Sequence, residues 1–134
     1  MWRSRLRICK WGCEYLAIYG SCGGGRSESW KIEVYAKKHK LGVVKELVGH
    51  GVGSKLHEEP DVPNYGKKNT GPVLKEGMVI AVEPMLNLGT AKIYILDDDW
   101  TIITGDNKPS AHFEHTVAVT KTGYKILTGD DKNE

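Results

Sequence analysis

From Leu41 onward no stretch of this chain keeps a helical period; it offers short apolar runs, each ended by glycine, proline or a cluster of aspartates. Val43-Val44-Lys45-Glu46-Leu47-Val48 stops at Gly49, and residues 78–82 stop at Glu83-Pro84. Residues 92–96 and 100–104 flank Asp97-Asp98-Asp99 and predict a hairpin. Residues 111–120 predict a further strand, which Thr122-Gly123 turns into residues 124–127. Runs this short suit strands rather than helices. The proline- and glycine-rich residues 57–76 predict a long structured loop. One helix is expected over residues 30–40, where Ile32, Tyr35, Ala36 and His39 share a face. Lysines crowd its last turn, where cations suit the helix dipole, and Gly42 is the expected stop. The fold class is therefore α/β, or more strictly α+β, with a mostly antiparallel sheet and a flanking helix.

Residues 1–29 read differently. They mix Arg and Trp with Gly20-Ser21-Cys22-Gly23-Gly24-Gly25 and show no clean period. The Gly run is no phosphate loop, because no Gly-Lys-Ser/Thr follows it. We divide the chain into this atypical basic head, 1–29, and a regular body, 30–134. The abrupt change near Ser29 is what a shifted frame or alternative start produces. Residues 1–45 carry 10 Lys and Arg against 3 Asp and Glu, whereas residues 46–134 carry 9 against 14. A basic head suits a ribosome or RNA surface; a solvated tail is the plainer reading. Cys9, Cys13 and Cys22 are odd in number and confined to the head, which argues for a reducing, cytoplasmic setting rather than a disulfide framework. No apolar run approaches the ~20 residues of a membrane span.

Chemistry is expected at three places. Gly49-His50-Gly51-Val52-Gly53 brackets a histidine with glycines, which admit close backbone approach and leave the imidazole open. Glu83 ends an apolar strand beside Pro84, and Glu114 lies within the strand predicted over 111–120. Carboxylates in apolar strands pair or bind metal. Imidazole and carboxylate donors suit divalent ions, although a set of satisfied hydrogen-bond partners fits the same spacing. His39 is expected exposed. His112 and His115 are expected on the other side of that strand from Glu114, in surface or supporting roles rather than as direct ligands. Asp97-Asp98-Asp99 fails a calcium-loop template and is expected solvated.

The order of the pieces is more specific than any one of them. Gly49 to Gly53, then Leu56-His57-Glu58-Glu59-Pro60, Val62-Pro63-Asn64-Tyr65-Gly66, Leu74-Lys75-Glu76-Gly77-Met78, Val82-Glu83-Pro84-Met85, Asp99-Trp100-Thr101 and Ser110-Ala111-His112-Phe113-Glu114-His115-Thr116 resemble type I methionine aminopeptidases as far as Thr128. The resemblance implies the C-terminal half of the "pita-bread" α/β fold and a metal-dependent hydrolase of the cytoplasm. Such an enzyme removes the first methionine from new chains by metal-activated water. It implies that His50, Glu83 and Glu114 ligate metal and that Glu83 shuttles the water's proton. It further implies that His57 reaches the scissile amide, and that Trp100 and Leu56 border the methionine pocket. Leu56 stands where many members carry an aromatic residue. The ions implied are divalent Co, Mn, Fe or Zn, two per site in the family. The two aspartates and further histidine that complete that site have no counterpart here, so this chain is expected to hold one ion or none. An inactive remnant, or a module that binds metal or peptide, is the alternative. The implied partners are peptide N-termini that begin with Met. A second copy of the chain, as a homodimer, is expected to cover the face that the missing half would cover. No membrane partner is implied.

Overall fold

In a computed structural model, residues 25–128 are described. The helix, α1 (Trp30–Lys38), forms where the apolar period predicts it and buries Ile32 and Ala36. It ends earlier than Gly42. Lys40 adopts φ 57 and the Leu41 amide bonds back to the Ala36 carbonyl, so the stop is a left-handed residue that happens to be lysine. Gly42 serves a different need. It opens β1 (Gly42–Val43), and a Cβ there would lie 2.5 Å from the Ala91 amide nitrogen.

A five-stranded antiparallel sheet carries most of the fold, in the order β10-β9-β4-β2-β3. Its members are β2 (Gly49–Gly51), β3 (Glu58–Val62), β4 (Val79–Val82), β9 (His115–Thr120) and β10 (Gly123–Ile126). A second sheet of order β1-β5-β8 joins β1 to β5 (Met85–Asn87) and β8 (Ser110–His112). The predicted hairpin is present as β6 (Ile93–Ile95) and β7 (Ile102–Thr104).

Two expectations need correction. The stretch 57–76 is not wholly loop, since β3 lies in it. Pro60 is tolerated because β3 is an edge strand and its outer side owes no ladder hydrogen bond. The strand predicted over 111–120 is two strands in two sheets, interrupted at Phe113-Glu114. The head's boundary also shifts. Residues 25–29 already belong to the fold: Arg26 bridges Val73, the Leu74 amide donates to the Gly25 carbonyl, and Ser27 and Ser29 are buried. The cysteines and the rest of the head lie outside the described residues.

Strand register sorts the side chains. Ile80 pairs with Val117, and β4 runs against β9 from Val79↔Ala118 to Val82↔His115. Cross-strand partners share a face. Ile80, Val82, Val117 and Val119 therefore point together and form the core with Ile32, Val62 and Leu74. Burying side chains of this size contributes about 1.5–3 kcal/mol each. Ala81, Thr116 and Ala118 point to the other face, and that face carries the site.

Candidate metal centre

His50 on β2 pairs with Ala81, which pairs with Thr116, so His50 joins the non-core face. The β4–β9 register, carried one step past its last pair, sets Glu83 opposite Glu114. The ligand atoms of Glu83, Glu114 and His112 lie within 4.8 Å of one another. Each Glu83 oxygen faces a different imidazole. Oε1 is 3.5 Å from His50 Nε2, and Oε2 is 3.1 Å from His112 Nε2. The Glu83 side chain is only 14% exposed.

Glycine makes room for this. A Cβ on Gly49 would sit 2.2 Å from the Ala81 carbonyl oxygen, so only glycine lets β2 lie this close to β4. The same closeness buries His50 to 9% exposure, which corrects the expectation of an open imidazole. Its Nδ1–H donates to the Gly51 carbonyl at 2.8 Å. That bond fixes the ring's orientation and leaves Nε2 facing the Glu83 side. The His57 ring lies against the His50 ring, with centroids 4.1 Å apart. The structure thus brings together His50, His57, Glu83 and Glu114. Leu56 is 73% exposed, and Trp100 stands at the hairpin turn, 87% exposed and outside the carboxylate–imidazole group.

His112 is the residue that sequence reasoning missed. Alternation from Glu114 holds for His115, which donates to or accepts from Thr128 instead. His112 stands two residues from Glu114, so the same period puts it on the Glu114 side, and the expectation that set it on the far side misapplied the period; the break at Phe113-Glu114 also places it on a separate strand paired with Met85. No feature of the run 111–120 marks that break.

Other acids have different work. The Lys55 amide and the Ser54 hydroxyl hold Glu58 below the usual carboxylate range while they close the turn at 53–58. The Thr101 hydroxyl and the Thr101 and Trp100 amides do the same for Asp98, so this exposed carboxylate is committed to the hairpin turn rather than simply solvated. His39 is exposed, as expected.

The donor set fits a divalent ion. Two carboxylates and imidazole nitrogens are borderline-to-hard ligands, and those of Glu83, Glu114 and His112 lie within 4.8 Å of one another.

Comparison with known proteins agrees with this geometry. Residues 27–121 match the profile of metallopeptidase family M24, and the chain belongs to that family. Within it, the chain is similar to methionine aminopeptidases. It is 53% identical over 100 residues to methionine aminopeptidase 1 of Bacillus subtilis, an alignment covering 75% of this chain and 40% of the relative. It is 49% identical over 98 residues to the methionine aminopeptidase of Clostridium perfringens, covering 73% and 39%. The crystal structure of methionine aminopeptidase from Rickettsia prowazekii superimposes with a TM-score of 0.84 at 39% identity, over 93% of this chain and 52% of that one. The prolidase from Pyrococcus furiosus, at 24% identity and a TM-score of 0.55, shares the fold. The chain spans about 40% of the length of the curated relatives it matches. The architecture is therefore the pita-bread fold in its C-terminal half, as the sequence implies.

Proposed function

We propose that this chain is a metal-dependent aminopeptidase acting on peptides that begin with methionine. The observation that carries the reading is the convergence of Glu83, Glu114 and His112, ligand atoms within 4.8 Å of one another just past the last β4–β9 pair, with each Glu83 oxygen turned to an imidazole. Glu83, Glu114 and His50 would hold the ion, and His112, whose ligand atom lies within 4.8 Å of those of Glu83 and Glu114, would add a fourth donor. A bound divalent ion, Co, Mn, Fe or Zn, supplies a water acidic enough to attack near neutral pH and polarises the amide carbonyl. Glu83 takes the proton of the attacking water on a carboxylate oxygen. His57, propped on the His50 ring, donates to the oxygen that gains charge. Leu56 and Trp100 lie exposed, as walls for a flexible, polarisable methionine side chain.

The setting we propose is the cytoplasm, near ribosomes, where new N-termini appear. The basic residues 1–45 support this, and no described helix is long and apolar enough to cross a membrane. A homodimer is supported by apolar side chains left exposed on the hairpin, among them Ile95 and Ile102. A monomer at every concentration in light scattering would dismiss it.

A second reading is a module that binds metal or a peptide N-terminus without turnover. Its support is that the ligand group contains no aspartate among the described residues. Cleavage of a Met-initiated peptide by the metal-loaded chain separates the two readings. Turnover abolished by chelator and by Glu114→Ala supports the enzyme. Metal binding without turnover supports the module.

A further inference from the structure

Val62-Pro63-Asn64-Tyr65-Gly66 is a motif that the site just described does not use. Asn64 is fully buried, at 0% exposure. Its Nδ2 donates to the backbone carbonyl of Glu83 at 3.4 Å, while its Oδ1 has no hydrogen-bond partner among the described residues. Leaving a buried amide oxygen unpaired costs about 1–3 kcal/mol. An apolar residue of the same volume would avoid that cost, so stability alone does not favour asparagine here.

We infer that Asn64 is a positioning residue that fixes the Glu83 peptide and thereby aims its carboxylate. The inference rests on the reading of Glu83 as a metal ligand. Glu83 lies just past the last β4–β9 pair, Val82↔His115, where the ladder stops holding the chain. Three successive carbonyls are then gripped by three different segments. Asn64 takes that of Glu83, the Phe113 amide that of Pro84 at 3.3 Å, and the Val44 amide that of Met85 at 3.0 Å. Asn64 is the one side chain among these donors. Its loop is anchored in turn. The Gly66 amide donates to Glu33 Oε2 at 3.2 Å, Lys45 Nζ is 3.3 Å from Glu33 Oε1, and the same ammonium stands 5.1 Å over the Tyr65 ring. A line of contacts thus runs from α1 through the loop to the ligand. Rotation of the Glu83 peptide would carry its oxygens away from His50 and His112.

The test compares Asn64→Leu, which keeps the number and branching of side-chain heavy atoms and removes the donor, with Val62→Ala, a buried neighbour in sequence that makes no contact of this kind. Asn64→Ser, whose side chain is too short to reach the carbonyl, serves as the second variant with the same expectation. Mn(II) titration should show affinity about tenfold weaker or more in the Asn64 variants, the size usual for residues that orient ligands, and within about twofold of wild type in Val62→Ala. Without metal, the Phe113 amide should exchange with solvent at least tenfold faster in the Asn64 variants than in Val62→Ala. Equal Mn(II) affinity and unchanged Phe113 exchange would overturn the inference. So would losses no greater than those of Val62→Ala, which mark a purely structural role. If wild type binds no Mn(II) while Phe113 exchange still accelerates, the positioning role stands and the metal reading of Glu83 falls.

Discussion

Ile80 on β4 and Ile103 on β7 are both β-branched residues in short antiparallel strands, yet Ile80 is 0% exposed and Ile103 is 38% exposed. The five-stranded sheet packs its core face around Ile32 of α1, whereas among the described residues the hairpin's apolar side chains stay exposed. Ile93, Tyr94 and Ile95 pair in regular register with Thr104, Ile103 and Ile102, so local pairing is equally sound in both places. Strand formation therefore follows from the local sequence, and burial follows from what the rest of the chain lays on top. The covered region fixes the position of the site, and the bare region presents apolar surface.

The contrast can be broken at its strongest point first. Ile80→Ala should cost about 2–5 kcal/mol, the usual range for a buried large-to-small change, measured by urea unfolding. Gly49→Ala comes next, at about 1–3 kcal/mol, because the added methyl meets the Ala81 carbonyl and β2 must move off β4. It should also weaken metal binding, since His50 rides on β2. Ile103→Ala should fall within about 0.5 kcal/mol, as surface changes do. A cost near that of Ile80→Ala would mean that a second copy covers the hairpin in solution.

The smallest effect concerns pH. Burial pushes Glu33 up, but hydrogen bonds from Lys37, the Gly66 amide and Lys45 outweigh it and leave the carboxyl below its ordinary 4.5. A carboxyl whose folded value is depressed adds stability above the unfolded value, and that stability is lost as pH falls through the folded value. Stability should therefore decline below about pH 4.5 in wild type and decline less in Glu33→Gln. Identical pH profiles would remove Glu33 from the account of how the loop at 63–66 is held.

The same contrast explains what was legible in the sequence. The helix, the hairpin and the strand ending at Glu83 were readable from period and glycine placement, and motif order singled out His50, Glu83 and Glu114, which the fold brings close together. β3 was hidden because Pro60 and Pro63 look like loop residues, and only the edge position in the finished sheet makes a proline acceptable there. His112 was legible and misread: it stands two residues from Glu114, and a strand's period of two already puts both on one side. Asn64 was hidden because its role is a contact with a carbonyl nineteen residues away. The misses at β3 and Asn64 are long-range relations that no local pattern encodes.

The central claim is that register places Glu83 and Glu114 opposite each other as one metal-binding pair. Isothermal titration of the metal-free chain with Mn(II) tests it most directly, with Glu83→Ala and Glu114→Ala titrated alongside under conditions where circular dichroism shows all three folded. The account predicts one ion per wild-type chain and affinity at least about 100-fold weaker in both variants, more than the loss typical of residues that merely orient ligands. Binding retained in either variant, or none in wild type, would contradict it.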